Sequence, residues 1–395
     1  MSGVLRSLSG VERLWLTADL LSPPFVNQMV IEGQGAPGES GGLGSWRAAL
    51  ARLGEAHPGS RSRLVGTLGW SRWQDDGPGP RLVEVDGTDW DGRSGAGAPF
   101  LQGALDPRSG PTVELLVVRG PCPRLVLRTH HAVMDGRGTL CLAEDLFRIL
   151  SGRSPVGSVA GPLTDQRIAE AAGRDPEVPP MLDMEPVLAG EGEAASGLSW
   201  SRVSIPSGGQ SPLPALVAVL AGRCGRRCRF DIPIDLRRHE PELRSTANLT
   251  GLLRLSLQGD ESPGAVADRL RQAVQDREES DFVLGAGRLT WLPLWLLRRA
   301  GSKASERSLD ERLFGTVGTL SNLGRLTPSV FSSPDFAAQR IFFIPPGNPG
   351  LPLFLTLTGG PEGVELCASA PRRLIRNDEL CQQLAEVGAA LAAMG

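Results

Sequence analysis

The chain has 395 residues, of which 41% are hydrophobic, and this length predicts two domains of roughly 180 residues, each able to bury a core. The formal net charge is −3 at pH 7 and the sequence pI is about 5.9, so we expect no basic field that could hold nucleic acid or an anionic membrane. Lys303 is the only lysine and tyrosine is absent, which removes tyrosine and nearly removes lysine from the possible catalysts.

The first residues lack a charged region followed by a long apolar run, so no secretory signal is evident. The longest apolar stretch, around 292–297, is far shorter than the about 20 residues of a membrane-spanning helix. We therefore expect a cytoplasmic protein with no transmembrane segment. The six cysteines are scattered, which predicts free thiols. Cys224 and Cys228 lack a second pair or a histidine cluster, so we expect no metal there.

Two β-rich runs in the first half, 112–119 and 124–131, flank a turn and predict adjacent strands or a hairpin. Asp135-Gly136 breaks the second run, and Thr139 is predicted to cap a helix that continues to about residue 150. A histidine pair thus lies at the end of a strand, just before a turn into a helix. Loops at such positions commonly carry function.

A stretch rich in Gly, Pro, Ala and Glu over 152–197 predicts a crossover linker between a lobe formed by 1–151 and a lobe formed by 198–395. The second lobe mixes predicted strands and helices without strict alternation, so the pattern alone does not separate α/β from α+β. The apolar stretch that contains Trp291 and Trp295 is interpreted as a packed helix in preference to a membrane or lipid contact.

The histidine pair, His130 and His131, cannot face one site together, because consecutive strand residues point to opposite faces. His131 shares its face with Leu127 and Thr129, and which of the two faces holds a pocket stays open. Together with Asp135 the pair also suggests a metal site. However, opposite-facing histidines cannot reach one ion without distorting the strand, and no further ligand is near. Two partly buried structural histidines are the other interpretation of these residues.

The four residues His130, His131, Asp135 and Gly136 complete the pattern HHxxxDG. This pattern resembles the signature of the chloramphenicol acetyltransferase-like acyltransferases, among them condensation domains, wax ester synthases, polyketide-associated acyltransferases and the plant BAHD enzymes. Other segments in matching order resemble further motifs of these proteins: 57–63, 103–111, 233–237 and 321–324.

The resemblance implies two similar lobes, each a mixed sheet flanked by helices, with a tunnel between them. It implies that His131 is the catalytic base, which takes a proton from the acceptor. The donor is then a thioester carried on coenzyme A or on the phosphopantetheine of a carrier protein. The acceptor is an alcohol or an amine, either a small molecule or carrier-bound, and the product is an ester or an amide.

The resemblance also implies supporting roles for His130, Asp135 and Gly136. In the family the aspartate pairs with an arginine, which either Arg61 or Arg237 can supply, and we slightly favour Arg237. Ser60 stands where the family's early motif has leucine, which weakens the assignment of the family's arginine role to Arg61. A further pair, Ser321 and Asn322, is implied to line the tunnel.

We expect a free-standing enzyme of specialised metabolite biosynthesis, because the chain is shorter than a typical condensation domain and shows no adenylation or carrier domain. We expect no tightly bound cofactor, and an acyl or peptidyl carrier protein as a partner if the donor is carrier-bound. Two alternatives stay open. One is a catalytically silent condensation-like recruitment module, and the other is an acyltransferase of the wax ester or diacylglycerol type.

Overall fold

The computed structural model describes residues 3–38, 42–159, 164–177, 182–206 and 212–394. Its strands are β1 Val4–Ser7, β2 Val26–Gln34, β3 Arg63–Val65, β4 Arg72–Gln74, β5 Arg81–Asp86, β6 Val113–Arg119, β7 Arg124–His130, β8 Leu198–Ile205, β9 Cys228–Asp235, β10 Thr250–Leu257, β11 Gly318–Arg325, β12 Ala337–Ile344, β13 Phe354–Gly359 and β14 Val364–Pro371. Its α-helices are α1 Gly10–Leu21, α2 Gly44–Ala56, α3 Gly136–Leu150, α4 Asp165–Glu170, α5 Leu213–Cys224, α6 Pro263–Gln275, α7 Glu279–Ala286, α8 Leu294–Glu311 and α9 Asn377–Ala392.

The first sheet has the strand order β12-β2-β7-β6-β5, antiparallel except for the parallel pair β5 and β6. Its centre is β7, which is buried along its whole length. Leu125 and Leu127 point into the core shared with α2 and α3, whereas Val126 points into a second cluster on the other face. The predicted pairing of the two β-rich runs is confirmed, since β6 and β7 are antiparallel neighbours.

The helix that follows β7 begins earlier than predicted. Asp135, not Thr139, is the N-cap of α3, and its Oδ1 accepts the N–H of Gly138 at 2.7 Å. A carboxylate is a better cap than a hydroxyl here because it also interacts favourably with the positive end of the helix. Leu142, Leu146 and Ile149, at helical spacing along α3, are buried.

The second sheet has the order β10-β9-β11-β13-β14-β8, with β9, β11 and β13 parallel to one another. One face packs on α5, α6 and α9 around a core that includes Phe230, Leu255, Leu320 and Leu366. On the opposite face, alternate residues of β9, β10, β11 and β13 line a cavity. This sheet therefore places one row of side chains in the protein core and the other in the cavity.

One strand from the second half of the chain belongs to the first sheet. The strand β12 pairs with β2 at the edge of the first sheet, with Ile341 opposite Ile31. A buried ion pair also joins the sheets, because Arg202 of β8 donates to Glu32 of β2 at 3.0 Å. The division into lobes at 1–151 and 198–395 stays a prediction. The segment Ala337–Ile344 belongs by sequence to the second lobe but forms part of the first sheet. Of the predicted linker, 160–163 and 178–181 lie outside the described residues.

Candidate active site

A cavity of about 830 Å³ lies between the two sheets. The first half of the chain contributes side chains from α1, β2 and the loop after β7, and the second half contributes the face of its sheet, α7 and α8. Most of the lining surface is apolar, and five ionisable side chains interrupt it: His131, Asp135, Asp231, Arg229 and Arg254. A largely apolar cavity with few convergent polar groups is the usual form of a small-molecule site.

The histidine that faces this cavity is His131, which lies one residue beyond the end of β7. Its ring stacks on Trp15 with centroids 5.4 Å apart and on Phe25 with centroids 5.2 Å apart. The side chain is nearly buried, with 9% of the residue exposed. The two aromatic rings thus fix the imidazole at the cavity wall.

The imidazole of His131 is neutral near pH 7, because burial lowers its pKa to about 4. Its Nδ1 lies 3.2 Å from the carbonyl oxygen of Met134. A carbonyl oxygen only accepts, so Nδ1 carries the hydrogen and Nε2 keeps a free lone pair. Within the described part of the chain Nε2 has no hydrogen-bond partner. The geometry therefore presents an unprotonated ring nitrogen that can accept a proton.

Two asparagines hold the loop that bears His131. Asn248 donates to the carbonyl of His131 at 2.6 Å, and its backbone N–H donates to Val133. Asn27 of β2 donates to the carbonyl of Met134 at 2.8 Å, the same oxygen that orients the imidazole. Sequence reasoning missed both asparagines as well as Trp15 and Phe25, because no local pattern links residues so far apart in the chain.

The carboxylate of Asp135 is paired with Arg237, as the sequence slightly favoured. Arg237 donates through both terminal nitrogens at 3.0 and 3.2 Å, and the residues are 2% and 8% exposed. Asp135 also accepts from the N–H of Gly138 and of Leu249, each at 2.7 Å, and from the hydroxyl of Thr250 at 3.2 Å. Burial would raise the pKa of Asp135, but Arg237 and the backbone donors reverse this and lower it. The pair joins the loop after β7 to the second half of the chain.

The other candidate arginine, Arg61, does not reach Asp135. Its side chain is 35% exposed and lies 3.7 Å from Asp75. The short 3₁₀ turn Pro58–Arg61 instead brings Gly59 toward the site, where an added Cβ would lie 2.6 Å from the hydroxyl of Thr246. The early motif therefore packs near the loop through its glycine, and of the two candidate arginines Arg61 is not the partner of Asp135.

Gly136 is the first residue of α3 and lines the cavity. It does not adopt a positive φ, so the glycine is not required by the turn. An added Cβ would lie 2.9 Å from Cδ1 of Leu323 on the second sheet. The glycine thus permits close approach of the two halves. Its N–H is one of the helix-terminal donors that have no partner within the helix.

Of the two predicted tunnel residues, only Ser321 lines the cavity. Asn322 is the next residue of β11, so its side chain points to the opposite face, where it is exposed. Its Oδ1 accepts the N–H of Gly324 at 3.0 Å. The assignment of Asn322 to the tunnel is therefore wrong.

The neighbouring His130 is fully buried on the other face of the strand end. Its Nδ1 accepts the N–H of Ala132 at 3.2 Å, so Nε2 carries the hydrogen, and Asp19 of α1 lies 3.5 Å from that nitrogen. These contacts hold the strand end against α1 and place His130 outside the cavity lining.

Asp231 is a carboxylic acid on the cavity-facing row of β9, with Arg254 and Thr319 opposite it on the neighbouring strands. Its Oδ1 is buried and, within the residues that the structure describes, has no hydrogen-bond partner. Burial raises the pKa of Asp231 to about 6. A buried, unpaired carboxyl group costs free energy, and sequence reasoning did not assign it to the site.

Within the described ranges, no group of three or more His, Cys, Asp and Glu side chains is placed to hold a metal ion.

The chain is similar along nearly its whole length to solved condensation domains. The first condensation domain of the calcium-dependent antibiotic synthetase, in complex with a substrate analogue, is 15% identical with a TM-score of 0.66, over 98% of this chain and 96% of that one. The starter condensation domain of rhizomide synthetase, solved as a mutant with C8-CoA, is 14% identical with a TM-score of 0.62, over 99% and 95%. The epimerization domain of tyrocidine synthetase B is 14% identical with a TM-score of 0.62, over 100% and 97%. No protein-family model and no curated protein sequence matches the chain.

The chain therefore has the two-lobed fold of condensation domains, which is the chloramphenicol acetyltransferase-like fold. The predicted pair of lobes with mixed sheets flanked by helices is confirmed. That the cavity between the sheets is a tunnel stays a prediction. One fold hosts several reactions, so the fold alone does not define the activity.

Proposed function

We propose that this protein is an acyltransferase that moves an acyl group from a thioester to an alcohol or an amine. The observation that carries the proposal is the neutral His131, with Nδ1 committed to a backbone carbonyl, at the wall of a cavity of about 830 Å³. A thioester is already activated, so the main requirement is removal of the acceptor's proton. Imidazole in its unprotonated form is suited to that task.

The proposed reaction has one tetrahedral intermediate. Nε2 of His131 accepts the proton of the acceptor O–H or N–H while the acceptor atom attacks the thioester carbonyl. The C–S bond then breaks, and the proton passes from the imidazolium to the leaving thiolate, so that an ester or amide and a free thiol are formed. Because the pKa of His131 is about 4, its imidazolium is a strong acid, which favours proton return to the thiolate.

We assign the remaining site residues to positioning. Asp135 and Arg237 hold the loop that carries His131 against the second half of the chain, and His130 holds the strand end. The N–H of Gly136, at the positive end of α3, is the proposed donor to the oxyanion of the intermediate. Ser321 lines the cavity and is proposed to contact the substrates.

The donor class follows from the thioester chemistry, and the rhizomide synthetase domain solved with C8-CoA has the same fold. We propose coenzyme A or the phosphopantetheine of a carrier protein as the acyl carrier, and specialised metabolite assembly as the setting. A catalytically silent recruitment module has no need of an oriented, neutral His131 in an open cavity, so this alternative is disfavoured. A wax ester or diacylglycerol type enzyme would use the same chemistry with a long-chain acceptor.

The test is release of free thiol from a panel of acyl-CoA and acyl-phosphopantetheine carrier donors, with alcohols and amines as acceptors. We expect thiol release that depends on the acceptor and an acylated product by mass spectrometry. The matched control is Asn322→Ala, which lies one residue from Ser321 but on the exposed face, and it should react at the wild-type rate. Absence of acceptor-dependent release with every donor would favour the silent module.

A further inference from the structure

The surface carries a group of exposed tryptophans that the proposed chemistry does not use. Trp70, Trp291 and Trp295 are 73%, 64% and 66% exposed. The interpretation of the stretch around Trp291 as a packed helix is therefore wrong for its tryptophans. Single apolar side chains on a surface are ordinary, whereas a contiguous group of large ones marks a contact with another molecule or a membrane.

The tryptophans form one patch. The rings of Trp70 and Trp291 meet edge to face, with centroids 6.3 Å apart. Trp295 follows in the first turn of α8. Three exposed leucines extend the apolar surface, and we define the tryptophan patch as the six residues Leu68, Trp70, Trp291, Leu292, Trp295 and Leu296.

The two segments of the tryptophan patch are held together by the buried Arg13 of α1. Its guanidinium donates to the carbonyl of Leu68 at 3.0 Å and also to the carbonyl of Leu292. Gly69 allows the ring of Trp291 to lie close, because a Cβ there would be 2.4 Å from that ring. Contacts within the fold therefore hold the two segments of the tryptophan patch in place.

Cations adjoin the tryptophan patch. Arg298, Arg299 and Lys303 follow on the next turns of α8, and Arg288 lies in the turn before it. All four are exposed, and none forms an ion pair with the residues that the structure describes. The whole chain carries a net charge of −3, so this unpaired positive charge is local. The net charge led us to expect no basic field for an anionic membrane, and that expectation does not hold beside the tryptophan patch. Tryptophan rings beside arginine and lysine match the headgroup region of a bilayer that contains anionic lipid.

The helix α8 contributes residues both to the tryptophan patch and to the lining of the cavity. Leu297, Ala300 and Ala304 line the cavity from α8, while Trp295 and Arg299 are on its exposed surface. No helix in the described ranges is long and apolar enough to cross a membrane, so the contact would be at the membrane surface.

We propose that the tryptophan patch docks this protein on the surface of an anionic lipid bilayer. The aromatic rings enter the headgroup layer, and Arg288, Arg298, Arg299 and Lys303 bind lipid phosphates. The proposal does not depend on the acyl-transfer reaction, because binding is measured without substrate.

The experiment is sedimentation of the full chain with vesicles of phosphatidylcholine alone or mixed with phosphatidylglycerol. The wild type should pellet with the mixed vesicles and be released by salt. Each cation near an anionic surface contributes about a five-fold increase in partitioning. The triple variant Arg298→Gln/Arg299→Gln/Lys303→Gln should therefore bind about 100-fold more weakly. Trp291→Ser/Trp295→Ser should also lose binding on the mixed vesicles.

Two control variants are available. Arg307→Gln removes a cation of the same helix that is ion-paired with Glu311, and Val330→Ser removes an exposed apolar side chain elsewhere. Both should bind as the wild type does. The proposal is wrong if the wild type does not sediment with the mixed vesicles. It is also wrong if the triple cation variant and Trp291→Ser/Trp295→Ser both bind these vesicles as well as the control variants do. It is also wrong if the wild type self-associates in sedimentation velocity and Trp291→Ser/Trp295→Ser abolishes this without affecting lipid, since the patch would then join two copies of the chain.

Discussion

Replacing Asp135 with asparagine tests whether this residue holds the structure or takes part in the chemistry. The substitution keeps the shape of the side chain but removes the charge that compensates the buried Arg237. An amide also presents a donor where the native carboxylate receives only donors, so one N–H of Arg237, Gly138 or Leu249 loses its acceptor.

The size of the expected loss in unfolding free energy depends on the contacts that Arg237 retains in Asp135→Asn. Breaking a buried pair by removing one partner typically costs about 3–5 kcal/mol. Arg237 retains Asp235 at 2.7 Å and the carbonyl of Ser245 at 2.9 Å. We therefore expect the free energy of unfolding of Asp135→Asn to fall by about 3 kcal/mol, at the low end of that range.

The assay is denaturant unfolding of wild type and Asp135→Asn across pH. The pKa of Asp135 is lowered in the folded state by Arg237 and the backbone donors, which outweigh burial. Its contribution to stability is thus fully present above the unfolded pKa of about 3.9 and is lost as the pH falls through the folded pKa. The difference between the two proteins should be constant from about pH 6 to 8 and should shrink below about pH 4.

The matched control is Asp235→Asn, which removes the other carboxylate on Arg237. The side chain of Asp235 is 37% exposed, so the loss should be about 0–1 kcal/mol. If Asp135→Asn unfolds within about 0.5 kcal/mol of the wild type while turnover is lost, Asp135 acts in the reaction and its assignment as a positioning residue is refuted.

Three further outcomes are expected. Burial lowers the pKa of His131 to about 4, so single-turnover rates should be flat from about pH 8 to 5 and fall only as His131 is protonated near pH 4; a limb near the usual histidine value of about 6.5 contradicts this. Burial raises the pKa of Asp231 to about 6, which destabilises the folded state as the pH rises from about 3.9 to 6. In urea unfolding, Asp231→Asn should therefore be more stable than the wild type by about 1–3 kcal/mol at pH 7.5 but not at pH 4. Equal stability of the two proteins at both pH values would show that the carboxyl group is solvated. His130→Ala should lower the free energy of unfolding by about 2–3 kcal/mol, since it leaves a cavity and an unpaired N–H at Ala132, with a smaller loss of turnover than His131→Ala; the reverse order would place the reaction on the other face of the strand end.

The strands and the loop around the histidine pair were predictable because their signals are local. Runs rich in aliphatic residues over 112–119 and 124–131 give β6 and β7, and strand geometry separates His130 from His131. The same rule, applied to β11, would have separated Ser321 from Asn322. The motif resemblance assigned them together, and the geometry separates them.

The features that were missed depend on tertiary contacts. The sequence favours Arg237 over Arg61 only slightly, and the packing of the second half against the loop selects Arg237. The aromatic rings of Trp15 and Phe25 reach His131 from α1 and the residue before β2. The exposure of Trp291 was missed because apolar composition predicts burial but does not show which side chains find a partner.

The central claim is that His131 removes the acceptor's proton during acyl transfer, and the most direct measurement is the single-turnover transfer rate of His131→Ala beside donor affinity. General-base catalysis contributes about 10²–10⁴-fold, so we predict a rate loss of that size. The affinity for the thioester should change by less than about three-fold, because we propose that the cavity walls bind the donor. Near-normal transfer by a well-folded His131→Ala protein would contradict the account.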